Sequence, residues 1–110
     1  MKVNDIVEQL GLTVCSGANG LANEVEGGYV SDLLSDVMGN AQTGMIWVTL
    51  QTHKNVMAVA SLKDLAAVIL VSGLNPDDDT AAQSNEEGIP ILSTELDTFT
   101  ITGKIYHLLK

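Results

Sequence analysis

The chain has 110 residues, 14 acidic and 5 basic, all five of them lysine, giving a formal net charge of −9. One domain spanning residues 1–110 is the expectation at this length, and an apolar content of 45% argues against disorder. Acidity of this size repels phosphate backbones and anionic headgroups, which excludes nucleic acid and membrane surfaces as partners, and the missing arginine removes the usual fork for phosphate. Cys15 stands alone and cannot form an internal disulfide, so a reduced, cytoplasmic setting is expected. Met1 to Asp5 offers no signal-peptide apolar region, and the longest apolar run, Leu65 to Val71, is too short to span a bilayer.

In chain order, Val3, Ile6, Val7 and Leu10 follow helical spacing, with Asn4 or Asp5 as a cap and Gly11 where such a helix would end. From Leu12 to Gly28 the pattern is short, glycine-studded and weakly alternating, which predicts a strand, a loop and a second edge. Met45 to Leu50, Ala66 to Val71 and Ile89 to Leu92 are near-continuous apolar runs, as in strands of a parallel sheet covered on both faces. Lys54 to Leu62 between the first two reads as a mostly buried helix. Pro76 to Glu87 between the next two reads as a second, with Asn75 as its cap, Asp77, Asp78 and Asp79 at its positive end and Gly88 closing it. Pro90 lacks an N–H, which places the third run at an edge or puts Pro90 near its start. In the tail, Thr98 to Thr102 alternates like a strand. Phe99, Gly103, Tyr106 and Leu109 also trace one helical face behind an Asp97 cap, and helix is preferred because the sheet needs another cover. The fold class expected is α/β, a mostly parallel sheet flanked by helices.

The chain carries no phosphate-loop motif, dinucleotide fingerprint, nucleophile elbow or Cys-x-x-Cys pair. His53 and His107 are not at metal-ligand spacing, and Asp77 to Asp79 lacks the glycine and terminal glutamate of a calcium loop. No metal, cofactor or catalytic set is expected. In open α/β sheets, ligands sit beyond the carboxyl ends of the strands, and in this chain those positions are polar. Gln51, Thr52, His53, Lys54 and Asn55 follow the first apolar run, Ser72 and Gly73 the second, and Ser93 and Thr94 the third. Together they form a candidate site for a small polar or anionic ligand held by neutral donors. Against that reading, Thr52 and Asn75 would cap helices and the rest would satisfy loop backbone. Trp47 is expected in the core.

Three segments carry a family resemblance: Gly27-Gly28-Tyr29-Val30-Ser31-Asp32 through Met38-Gly39-Asn40-Ala41, Ile46-Trp47-Val48-Thr49-Leu50-Gln51-Thr52-His53, and Gly88-Ile89-Pro90-Ile91-Leu92-Ser93-Thr94 with Leu96-Asp97-Thr98-Phe99. In this order they resemble the DRTGG domain family over nearly the whole chain. That family is similar in fold to the N-terminal domain of HPr kinase/phosphorylase and, more remotely, to that of Mur ligases. The resemblance implies helices flanking a small sheet and a helix from Asp97 onward. The family's Thr-Gly-Gly stands here as Ser72-Gly73-Leu74, and the nearest positions to its Asp-Arg pair are His53 and Lys54. The kinase label does not transfer, because the kinase's phosphate loop lies in its other domain. A non-catalytic regulatory module is implied, homodimeric and binding a small molecule or nucleotide. The alternative is a docking or assembly subunit of a larger enzyme. An enzyme working through His53 with Ser72 or Ser93 is a third reading, and it requires those groups to meet.

Overall fold

Met45 to Thr49 and Ala67 to Leu70 bury nearly every side chain, and a segment that buries both faces belongs at the centre of a covered sheet. In the computed structural model, which describes residues 1–110, they are β3 (Met45–Thr49) and β4 (Ala67–Leu70), paired in parallel. β2 (Gly27–Val30) pairs in parallel with β3, and β5 (Ile91–Ser93) in parallel with β4. β1 (Thr13–Ser16) adds antiparallel to β5, with a bulge between Val14 and Ser16, so the sheet order is β1-β5-β4-β3-β2. β1 and β2 are thus its two edges. β5 is interior, and Pro90 is tolerated because it precedes the strand and contributes only its carbonyl, which accepts from the Val68 N–H at 2.9 Å.

Period-two alternation sends neighbouring side chains to opposite faces, and each face builds its own core. On one, Ile46, Val48, Ile69 and Leu92 pack with Val3 and Ile6 of α1 (Val3–Leu10) and Ile101 and Ile105 of α5 (Thr98–Leu109). On the other, Trp47, Val68, Leu70 and Ile91 pack with Val37 of α2 (Leu34–Asn40) and Val56, Met57, Val59 and Ala60 of α3 (Asn55–Leu62). Trp47 is fully buried, and its indole N–H donates to the Ser31 carbonyl at 2.7 Å. α4 (Asp78–Glu87) lies beside α3 and buries Thr80 and Ser84 instead of an apolar stripe. Ser84 Oγ donates to the Ile89 carbonyl at 2.7 Å and receives the Ser16 hydroxyl at 2.9 Å, so hydroxyl contacts hold this helix against β1.

Several local expectations need correction. The N-cap of α1 is Lys2, and Asp5 acts from within the first turn, accepting the Lys2 N–H at 2.9 Å. α4 begins two residues later than Pro76, with Asp77 and not Asn75 at its N-cap, because the Asp77 N–H is held by the Thr52 carbonyl with Asp77 itself still extended. Leu62 is 73% exposed although α3 is otherwise buried. α2 has a single fully buried side chain, Val37, too short a pattern to have predicted a helix. α5 is the helix expected from Asp97, but the face traced by Phe99, Gly103 and Tyr106 points away from the sheet; Ile101 and Ile105 make the cover.

Candidate functional site

The carboxyl ends of four parallel strands place the loops after β2, β3, β4 and β5 along one border of the sheet. The residues after β3 are tied on both sides. Asp32, in the β2–α2 loop, accepts the Thr49 hydroxyl at 2.9 Å and the Leu50 N–H at 2.7 Å. Gln51 returns its side-chain amide to the Asp32 carbonyl at 2.8 Å. On the far side, the Thr52 carbonyl accepts the Asp77 N–H at 3.1 Å and the Thr80 hydroxyl at 2.9 Å. His53 Nδ1 lies 3.1 Å from an Asp77 carboxylate oxygen, with the imidazole 71% exposed. Lys54 is exposed at the N-cap of α3 and makes no ion pair, and Asn55 opens the helix. Thr52 therefore anchors α4 and does not cap α3.

A second cluster joins the β4 and β5 loops. Ser72 and Gly73 both have left-handed backbone, with φ of 57° and 74°, and this tight turn points their amides at the next loop. The Ser72 N–H donates to the Leu96 carbonyl and the Gly73 N–H to the Thr94 carbonyl, both at 2.9 Å. Thr94 closes its own turn by accepting the Leu96 N–H on its hydroxyl at 3.1 Å. A Cβ on residue 73 would stand 2.8 Å from the Glu95 carboxylate, which lies over this turn. Ser93 is not a loop residue: it is buried as the last member of β5, opposite Leu70 and Thr13. Asn75 faces the Cys15 thiol, 3.9 Å from its side-chain oxygen. No hydrogen bond joins His53 to Ser72 or Ser93.

The candidate residues thus fall into two hydrogen-bonded groups, Gln51 to Asn55 and Ser72-Gly73 with Thr94, on one border, with Ser93 beneath them. Asp32 and Glu95 were missed. A signal existed for Asp32, since an aspartate beside Ser31, just past a strand, is a turn-forming residue; for Glu95 none existed, because its position depends on the fold of Gly73. With Asp77, which lies against His53, these carboxylates give the border loops more negative than positive groups. Asp97 caps α5 beside them. The Thr100 backbone N–H at 2.7 Å, with the Thr100 hydroxyl, holds its carboxyl below the ordinary 3.8. Farther along the β2–α2 connection, Ser31, then Tyr29 and Asn40, lower Asp36 in the same way, and Asp36 in turn raises the Tyr29 phenol. No group of three or more His, Cys, Asp or Glu side chains is arranged to hold a metal ion.

A sheet of this order, with two helices on one face, three on the other and polar loops at its carboxyl border, is that of a small α/β domain. Residues 5–108 match the DRTGG domain, and the chain belongs to the DRTGG domain family. Among solved structures it is similar to the CBS and DRTGG domains of the regulatory region of Clostridium perfringens pyrophosphatase, complexed with the activator diadenosine tetraphosphate. The TM-score is 0.73 at 13% identity, covering 93% of this chain and 44% of that one, so the chain spans less than half the length of that relative. No curated protein matches it in sequence.

Proposed function

We propose that the chain is a non-catalytic regulatory module that binds a small molecule at the carboxyl border of its sheet, in the cytoplasm, and acts as a homodimer. The carrying observation is the left-handed Ser72-Gly73 turn, docked on Thr94 and set among exposed polar side chains in a DRTGG domain. The pyrophosphatase region of like fold binds a dinucleotide activator, which makes nucleotides the first class to try. Asp32, Asp77 and Glu95 leave little room for bare phosphate charge. A nucleotide would be held through hydroxyls, Lys54 and His53, giving modest affinity suited to sensing. Phosphoryl transfer is not part of this reading, since no phosphate loop occurs in the chain and His53 faces Asp77, not a serine.

Calorimetry and thermal shift against mono-, di- and dinucleoside phosphates test the proposal. A saturable shift weakened by Lys54→Ala and Ser72→Ala supports it; no response to any nucleotide or nucleoside removes the nucleotide reading. A second reading, a docking subunit for a larger enzyme, is favoured by the exposed apolar side chains on α5. Pull-down of a reproducible enzyme partner with no ligand response would select it.

A further inference from the structure

The chain owns one Phe, one Trp and two Tyr, and it leaves two of these four rings on the outside of one helix. Phe99 is 90% exposed and Tyr106 67% exposed, both on α5. Buried Ile101 and Ile105 show which face of α5 the core uses, so these rings do nothing for the monomer's core. Between them sits Gly103, also exposed, in the middle of the helix. A Cβ there would meet nothing within 4 Å, and its backbone is ordinarily helical. Neither packing nor conformation requires this glycine, although glycine is the costliest helix residue after proline. Beside it runs a shallow groove of about 490 Å³ lined by Leu10, Phe99, Gly103, His107 and Leu108, among others.

Phe99, Gly103, Tyr106 and Lys110 are spaced four, three and four residues apart, the spacing of a helix–helix seam. Reversed against itself, this stripe sets a ring opposite a gap and a ring opposite a cation. In an antiparallel pair with its twofold axis between Gly103 and Tyr106, each Tyr106 lies over the partner copy's glycine at 103. Each Phe99 then lies against the lysine at 110. A large ring fills the space left by a missing side chain, and a ring faces an ammonium; Lys110 already stands 5.6 Å from a ring centroid, that of Tyr106. The pairing also brings the basic end of each helix toward the Asp97 end of the other, where the helix dipoles oppose.

We infer that the outer face of α5 is the surface through which two copies of this chain pair, around Gly103 and Tyr106. The inference deepens the homodimer part of the proposed function and is independent of any ligand. Sedimentation equilibrium of the full chain, at salt that screens the −9 of each copy, reads the result. The expected outcome is a mass rising with concentration from 11.6 kDa toward twice that value. Gly103→Tyr, which sets ring against ring, is expected to weaken association roughly tenfold or more. The exchange Gly103→Tyr with Tyr106→Gly restores the size match and should recover it. Circular dichroism checks that each variant keeps the wild-type helix content. A monomer at every concentration overturns both this surface and the homodimer. A dimer that Gly103→Tyr leaves intact, or that the exchange fails to recover, overturns this surface and leaves the homodimer standing.

Discussion

The carboxyl border of the sheet and the outer face of α5 spend their residues in opposite ways. At the border, polar groups fasten the loops to one another: Asp32 fastens the β3 loop, Thr52 fastens α4, and Thr94 fastens the Ser72-Gly73 turn. On α5, Phe99 and Tyr106 stand exposed with no apolar cover and Gly103 leaves an unfilled gap. The first region is pre-shaped, so a ligand there would pay little to order the loops. The second is unsatisfied in the monomer, and burying its rings has a driving force that the border lacks. Position and rigidity support the proposed small-molecule site; unused apolar area supports the proposed protein contact.

Removing a fastener of the border tests the pre-shaping most severely. Asp32→Ala deletes the acceptor of the Leu50 amide and of the hydroxyl of buried Thr49, with an expected loss of about 2 kcal/mol in urea denaturation. Self-association should survive, because α5 is untouched. The two glycines sharpen the contrast next. Gly73→Ala forces a Cβ into left-handed backbone, an expected loss of about 1 kcal/mol; the Glu95 carboxylate can swing aside and adds little. Gly103→Ala should stabilise the dilute monomer by about 1 kcal/mol, since nothing there requires glycine. If both variants destabilised equally, Gly103 would be a structural necessity and the contrast between the regions would fail.

The middle of the fold was legible because β3 and β4 bury both faces and read as unbroken apolar runs whatever their neighbours do. α1 was legible for a different reason, its helical spacing closing on Gly11. α2 was not, since Val37 is its one fully buried residue and its remaining order comes from contacts such as Tyr29 with Asp36. The start of α4 was misread because Asn75 and Pro76 are good local punctuation, yet the Asp77 amide is taken by Thr52, 25 residues earlier in the chain. The same limit applies to the site. Which loops follow which strands could be read in order, but the carboxylates that meet them, Asp32 and Glu95, are set by tertiary contacts. For α5 the stripe was visible and its direction was not, because isoleucines on one side and aromatics on the other both make an apolar face.

A smaller effect is expected where α5 meets the border. Asp97→Ala removes the acceptor of the Thr100 amide and should lower Tm by about 3–5 °C near neutral pH. The folded chain holds the Asp97 carboxyl below 3.8, so the unfolded chain binds the proton first as pH falls. The stabilisation is therefore present above about pH 4 and lost below it. Thermal melts of variant and wild type should draw together as the pH falls below that point, and a gap that stays constant through the acid range would mean that Asp97 acts through packing and not through its charge.

The smallest stability change, and the most informative about function, is expected at His53. Its contact with Asp77 is solvent-exposed on both sides, and exposed pairs contribute little, so His53→Ala should alter unfolding free energy by less than about 0.5 kcal/mol. Neither the Thr52–Thr80 anchor nor the α5 face depends on the imidazole. A variant with unchanged stability and unchanged sedimentation that nevertheless loses a ligand-induced thermal shift would place the imidazole in the binding site. A shift retained in full would take the imidazole out of the site and leave Lys54 and the Ser72 and Thr94 hydroxyls to do the holding, since the Ser72, Gly73 and Thr94 amides are already bonded within the fold.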